Sequence, residues 1–135
     1  MKFQSKGEEM MWNGELRYKN EWPNWNIISH YNLSQSGCQD KIIVDFAMFY
    51  KERLAIIIEV NGEGHYSPIF GEKEYNRIKA RDEKEALWCK ENGIWLLIYD
   101  WIDGYMYYNN NYWDLSDDIT DTMYDIINFG WRLKD

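Results

Sequence analysis

The chain has 135 residues, of which 45% are hydrophobic and 28% are charged, and its formal net charge is −8. The length and composition are typical of one globular domain and exclude a disordered chain. The negative charge argues against a protein that coats nucleic acid electrostatically, but it does not exclude phosphate contacts made by a local basic strip.

The first half of the sequence predicts one helix followed by three strands. Ser5 is a candidate N-cap of a helix over residues 5–20, in which apolar residues recur at helical spacing and Gly14 is a weak point. Pro23 and the asparagines around it end this helix. Segments rich in β-branched and aromatic residues then predict strands over 26–33, 41–50 and 54–61.

The second half predicts a glycine-rich loop, a long helix, a buried strand and a last helix. These elements cover residues 62–71, 72–92, 94–100 and 115–129, and Gly93 stops the long helix. The order of helix, strand, hairpin, helix and strand predicts an α/β (α+β) fold with a mixed central sheet flanked by helices.

We expect one domain over residues 1–135, with a core over 5–102 and an aromatic C-terminal extension over 103–135. No apolar run approaches the length of a membrane span, and the N-terminus has no signal-peptide core. A cytoplasmic protein without a membrane partner is therefore expected. Its two cysteines, Cys38 and Cys89, are expected to be reduced thiols that lie too far apart for a zinc-binding pair.

Two acidic residues lie inside otherwise apolar strands. A hairpin centred on Glu52 places Asp45 directly opposite Glu59, on the same face of the sheet. Two like charges in this arrangement repel each other, and a slip of one residue in the register would move one of them to the other face. A divalent cation with oxygen ligands resolves the repulsion, so the pair predicts a divalent-cation site, for which Mg²⁺ is the candidate and Mn²⁺ the alternative.

A third acidic residue lies on the following helix. At 100° per residue, Asp82 falls in the middle of a stripe that we expect to be buried, formed by Tyr75, Ile78, Ala86 and Cys89. A hydrogen bond from Asp82 to His65 would orient the imidazole as a base or ligand. Cys89 itself is interpreted as a packing residue.

Glu8 is a fourth acidic candidate, because it lies on the apolar face of the first helix. Glu9 and Glu15 are alternatives, and all three are solvated in the simplest interpretation. His30, beside Tyr31 in a short strand, is interpreted as structural.

The long helix also carries a basic strip. Its charges are half balanced by neighbouring glutamates, so the strip is interpreted first as a solvated face and second as a phosphate contact. The basic residues are Lys73, Arg77, Lys79, Arg81 and Lys84, and the glutamates are Glu72, Glu74, Glu83 and Glu85.

These motifs resemble the PD-(D/E)xK nuclease superfamily. SKGE at 5–8, VDF at 44–46, IEVNGEGHY at 58–66 and RDEKEALWCKENGI at 81–94 look like very-short-patch-repair-like endonucleases. They look closest to the phage and bacterial homing-type nucleases that carry a Glu-Asp-x-His-Asp motif. The resemblance runs from residue 5 to about 102 and implies a restriction-endonuclease-like core. It implies the catalytic residues Glu8, Asp45, Glu59, His65 and Asp82, with Asp45 and Glu59 as metal ligands.

One departure concerns the lysine of the superfamily, because Asn61 occupies its position here. Lys79 and Lys84 are the candidate phosphate-binding replacements. The sequence thus predicts a Mg²⁺-dependent endonuclease that hydrolyses DNA in homing or repair, in a bacterial or phage-infected cytoplasm. The alternative is a catalytically inactive nuclease fold that binds a protein, a second copy of itself or nucleic acid through the aromatic segment 101–113.

Overall fold

A computed structural model of the chain describes residues 2–109 and 119–130. Five strands form one mixed sheet with helices beside it, which confirms the predicted α/β class and the mixed sheet. The strands are β1 (Trp25–Asn32), β2 (Ile43–Tyr50), β3 (Arg53–Asn61), β4 (Trp95–Ile102) and β5 (Tyr105–Asn109). The helices are α1 (Lys6–Met11), α2 (Arg17–Lys19), α3 (Glu72–Glu91) and α4 (Ile119–Phe129).

The first predicted helix is present, but it changes type within its length. Ser5 is its N-cap, and the Ser5 hydroxyl accepts the backbone N–H of Glu8 at 3.1 Å. Between α1 and α2 the segment Trp12–Leu16, which contains Gly14, has π-helical hydrogen bonding. A glycine has the backbone freedom for such a wider turn, so the weak point in the sequence coincides with the irregular turn.

The sheet order is β1-β2-β3-β4-β5, which is also the order of the strands along the chain. All neighbouring strands are antiparallel except β3 and β4, which are parallel and are connected through α3. The carboxyl ends of β3 and β4 therefore lie at one edge of the sheet, and the loop after β3 begins at that edge. Loops in this position carry functional residues in many mixed α/β proteins.

The β2–β3 hairpin is confirmed, although its turn differs from the prediction. Lys51 and Glu52 form a two-residue turn with φ values of 49° and 67°, so pairing begins one residue closer to the turn than a hairpin centred on Glu52 allows. Ala55 then forms a β-bulge, because it is the extra residue of β3. Beyond the bulge the register is the predicted one, with Phe46 opposite Ile58.

Strand β5 lies in the segment that was expected to be an extension outside the core. Asp103 and Gly104, with φ values of 50° and 83°, form a two-residue turn that folds β5 back against β4. The predicted last helix is present as α4, while its residues 115–118 lie outside the described residues. The same holds for residues 110–113 of the aromatic segment.

The core is built on the central strands. The triplet Ile56–Ile58 and the residues Leu96 and Leu97 are almost completely buried, as is Phe46 of β2. Cys38 and Cys89 are buried and form no disulfide, and Cys89 is part of the core as expected. Among the described residues, no helix has the length and apolar character that crossing a membrane requires.

Candidate active site

Asp45 and Glu59 meet where the β2–β3 ladder ends. The N–H of Asp45 donates to Glu59 Oε1 at 2.8 Å, and the N–H of Val60 donates to Asp45 Oδ2 at 2.7 Å. The two carboxyl groups thus replace strand-to-strand hydrogen bonds beyond the last regular pair. Both line one cavity of about 290 Å³, which confirms that the hairpin brings them together.

This acidic cavity takes its walls from several separate parts of the chain. The start of α1, the ends of β2 and β3, the loop after β3, helix α3 and strand β4 each contribute. The lining residues are Gln4, Ser5, Glu8, Asp45, Glu59, Val60, Asn61, Gly62, His65, Arg81 and Trp101.

His65 and Asp82 form the predicted pair. His65 Nδ1 lies 2.9 Å from Asp82 Oδ2, and both side chains are largely shielded from solvent. An ionised Asp82 favours a proton on Nδ1, and this leaves the lone pair on Nε2 of His65. Since His65 lines the acidic cavity, this arrangement can present a proton acceptor there.

Glu8 is the acid of the first helix that reaches the cavity. Its side chain is buried, and Glu8 Oε1 lies 2.7 Å from His30 Nε2, which is within hydrogen-bonding distance. The alternatives lie elsewhere: Glu9 pairs with Lys6 at 4.0 Å and Glu15 with Lys19 at 2.8 Å, both with solvent-accessible carboxylates.

His30 was interpreted as structural, and the structure shows its contact with the buried acid Glu8. His30 has φ of 52° within β1, where its neighbours Ser29 and Tyr31 are paired with β2. A left-handed residue in a strand interrupts the regular alternation of side chains. With this backbone conformation the imidazole reaches the carboxyl group of Glu8. A sequence pattern gives no sign of this backbone conformation.

Arg81 is the basic residue of the cavity, which corrects its interpretation as part of a solvated strip. Its guanidinium donates to the carbonyl oxygen of Ile43 and to Glu59 Oε2, the latter at 3.3 Å. Its Nη1 lies 3.6 Å from Asp82 Oδ1.

The two predicted phosphate-binding lysines do not line the acidic cavity. Lys79 Nζ lies over the rings of Tyr66 and Tyr75, at 5.7 and 5.6 Å from their centroids. Lys84 Nζ lies 3.7 Å from Asp40 on the surface. Arg81 is the basic residue of α3 that lines this cavity, and a phosphate-binding role of the two lysines stays a prediction.

Glu85 was expected to balance the basic strip at the surface, and this is also wrong. Its exposed fraction is only 2%, and it shares a hydrogen bond with the carboxyl group of Glu59. Its Oε2 atom finds no hydrogen-bond partner among the described residues. Glu85 therefore lies behind Glu59 as a further buried acid of the site.

The crowding of these acids changes their pKa values. Burial raises the pKa of Asp45 to about 6, against the opposing N–H of Val60, and the nearby Glu8 carboxylate adds to the increase. Burial, Glu85 and Asp45 together raise the pKa of Glu59 well above its ordinary value. Burial likewise raises the pKa of Glu85 to about 7.

The pKa of the Arg81 guanidinium is raised as well. Burial disfavours its charge, but Glu59 and Glu85 outweigh that effect and raise the pKa of Arg81. One permanent positive charge thus faces several acids, and full ionisation of the acids leaves an excess of buried negative charge. Protons or a bound cation must neutralise this excess.

The carboxyl groups of the acidic cavity are suitable ligands for a magnesium ion, but they do not provide a complete coordination shell. Among the described residues, no group of three or more His, Cys, Asp or Glu side chains is arranged to hold a metal ion. Mg²⁺ is usually bound by one or two carboxylates, and waters and substrate phosphates complete its octahedron. Asp45 and Glu59 provide two such carboxylates in one cavity.

Asn61 occupies the position at which the resembled superfamily has its lysine. It is buried, lines the cavity, and its Nδ2 donates to the Tyr66 hydroxyl over 3.4 Å. The Tyr66 hydroxyl in turn donates to Asp100. Asn61 therefore belongs to a hydrogen-bonded network that ends on a carboxyl group. No family model matches the chain, and no curated protein or solved structure gives a significant match to it.

Proposed function

We propose that the chain is a metal-dependent endonuclease that hydrolyses phosphodiester bonds of DNA. The observation that carries the proposal is the set of carboxyl groups of Glu8, Asp45 and Glu59 at one cavity, with Glu85 buried behind them. Such a concentration of acids is costly as structure alone, and it suits a site that recruits a divalent cation. The resemblance to the PD-(D/E)xK superfamily supports a restriction-endonuclease-like core and DNA as the substrate.

Asp45 and Glu59 would hold the ion. When bound there, Mg²⁺ supplies positive charge at the scissile phosphate and a water molecule of lowered pKa. Both carboxyl groups must be ionised to act as ligands, whereas burial raises the pKa of each. Metal affinity is therefore expected to rise with pH through the range in which these acids titrate.

His65 would take the proton from the attacking water at Nε2, while Asp82 holds Nδ1 and stabilises the imidazolium that forms. Arg81 lies at the mouth of the same cavity and can exchange its contact with Glu59 for one with a phosphate oxygen. A guanidinium is suited to this because it pairs with phosphate through two parallel hydrogen bonds. Glu8, in contact with His30, lines the same cavity.

A second candidate function is a binding protein with an inactive nuclease fold. The ion pair between Arg81 and Glu59 favours it, because the site then neutralises part of its own charge without a metal. Asn61 also lacks the charge that the resembled enzymes have at this position, which is a lysine in the superfamily and usually an aspartate in the similar branch. Such a protein would act through its aromatic C-terminal region, on a protein partner, a second copy or nucleic acid.

The substitution Glu59→Gln separates the two candidates. The amide keeps an acceptor for the N–H of Asp45 but is a poor ligand for a hard cation, so Mg²⁺-dependent nicking of plasmid DNA should be abolished. In EDTA the variant should melt at the same temperature as wild type or higher, because one of several mutually repelling acids is gone. The exposed residue Glu63 supplies the control Glu63→Gln, which should leave both nicking and melting unchanged.

The measurements are plasmid nicking and thermal melting of the three proteins in EDTA, Mg²⁺ and Mn²⁺. Wild type should gain melting temperature from either metal, and Glu59→Gln should not. Absence of nicking and of metal stabilisation in wild type, with a lower melting temperature of Glu59→Gln in EDTA, would establish the binding-protein alternative. In that case the acids and Arg81 form a structural network.

A further inference from the structure

A second cavity lies on the other side of one wall of the acidic cavity. Its volume is about 420 Å³, and aromatic and methionine side chains dominate its lining, among them Tyr99, Trp101, Tyr105 and Met106. Trp101 also lines the acidic cavity, so one indole belongs to the walls of both. The two cavities are therefore neighbours.

Close packing against the first helix positions this tryptophan. Gly7 of α1 lies so near that an added Cβ would stand 3.0 Å from Trp101 Cγ and 2.8 Å from Val60 Cγ1. Gly7 falls between Ser5 and Glu8, which line the acidic cavity. Residues that line the aromatic cavity and residues that line the acidic cavity thus belong to one close contact between α1 and the sheet.

The β4–β5 hairpin closes the second cavity. Its turn places Gly104 and Tyr105 in the lining, and Tyr105 is still 66% exposed. Among the described residues that line this cavity, Glu15 is the one charged side chain. A carboxylate disfavours a phosphate group there, while the flat aromatic walls favour an uncharged planar ring.

We propose that this aromatic cavity is a nucleobase subsite, which holds the base of a nucleotide whose phosphate lies in the acidic cavity. The inference rests on the proposed nuclease function, since that function places the phosphate. The volume is within the range of cavities that bind small molecules, and stacking on aromatic side chains is the usual way in which proteins hold unpaired bases. Because every base has a π-face, the subsite recognises the presence of a base rather than its identity.

Two fluorescein-labelled single strands of equal length test the inference by fluorescence anisotropy. One has ordinary nucleotides and the other has abasic sugar-phosphate units throughout, and each is titrated in EDTA, Mg²⁺ and Ca²⁺. Wild type should bind the ordinary strand about tenfold more tightly than the abasic strand, which is the effect expected for one stacked base. Tyr105→Ala should remove most of this difference and leave the affinity for the abasic strand unchanged.

Tyr107 provides the matched control on the same strand. It is 53% exposed and does not line the cavity, so Tyr107→Ala should keep the full difference between the two strands. Both tyrosines are more than half exposed, and neither substitution should unfold the protein.

Three results would overturn the inference. Equal affinity of wild type for the two strands in Mg²⁺ or Ca²⁺ removes the base subsite and leaves the nuclease proposal standing. Equal losses in Tyr105→Ala and Tyr107→Ala place the bases on the outer face of β5 instead. Absence of metal-dependent binding of either strand to wild type removes the proposed function and the subsite together.

Discussion

Replacing Glu85 by glutamine should make the metal-free protein more stable at pH 8 and leave its stability at pH 4 almost unchanged. In the native state Glu85 is 2% exposed and lies against Glu59, and burial raises its pKa from 4.5 to about 7. The unfolded chain therefore releases this proton at lower pH than the folded protein does. As pH rises from 4 to 7 the folded state binds more protons than the unfolded state, so the free energy of unfolding falls.

The size of the effect follows from the two pKa values. A difference between 4.5 and about 7, at about 1.4 kcal/mol per pH unit, corresponds to a loss of about 3 kcal/mol in the free energy of unfolding by pH 8. Glutamine does not titrate, and its amide can donate the hydrogen bond to Glu59. Glu85→Gln should thus recover about 3 kcal/mol at pH 8, which corresponds to roughly 10 °C in melting temperature for a chain of this size.

The assay is urea unfolding in EDTA at pH 4, 6 and 8, with melting curves in parallel. The control is Glu83→Gln, two residues away on the exposed face of α3, which should change stability by less than about 0.5 kcal/mol at every pH. A Glu85→Gln protein that is less stable than wild type at pH 8 would refute the reasoning. It would mean that Glu85 is ionised and stabilised by Arg81 in the folded state.

Two further substitutions test the walls of the site. His30→Ala should lower the free energy of unfolding by about 1–3 kcal/mol, because buried Glu8 loses its imidazole partner. His30→Asn should recover part of the loss, because asparagine tolerates the positive φ and keeps a donor. Gly7→Ala should lower the free energy of unfolding in urea by about 1–3 kcal/mol, because the new Cβ clashes with Val60. Gly14→Ala, whose Cβ would meet nothing within 4 Å, should leave this free energy unchanged or raise it by up to about 1 kcal/mol. Equal effects of the two alanine substitutions would contradict the close packing of α1 on the sheet.

The sequence predicted that the two hairpin acids meet. The prediction was correct partly because two local features of the hairpin, which the sequence does not reveal, compensate for each other. Alternation in two apolar strands indicates that Asp45 and Glu59 share a face. The register behind that prediction assumed a longer turn than the one that forms. The bulge at Ala55 adds back the residue that the shorter turn removes, so the acids still meet. Bulges depend on twist and packing and have no dependable sequence signature.

The inward-facing charges of α3 were not predictable from periodicity. A helical stripe assigns charged residues to solvent, yet Arg81 and Glu85 face the site, since each has a partner that only the folded arrangement provides. Asp82 was found because it interrupts an apolar stripe. Arg81 and Glu85 lie among other charges, so nothing in the sequence distinguishes them from the solvated residues around them.

Strand β5 did have a usable signal. Asp-Gly between aromatic residues is among the strongest short-range indications of a two-residue hairpin turn, and Asp103 and Gly104 form one. The aromatic composition of the segment was interpreted as an exposed contact surface instead. In the structure Trp101 and Met106 are opposite each other, one position farther from the turn than the pair that flanks it. Both line the aromatic cavity.

The matching order of strands in the sheet and in the chain has a consequence for the rate of folding. The β2–β3 hairpin closes over two turn residues, so the repulsion between Asp45 and Glu59 arises in a local contact, of the kind that forms before the crossover through α3. We therefore expect Glu59→Gln to accelerate folding more than it slows unfolding, and Glu85→Gln, whose residue reaches the site with α3, to slow unfolding. The negative charge of the site would then slow the folding of the metal-free chain. Mildly acidic solution would accelerate folding, because it protonates these acids.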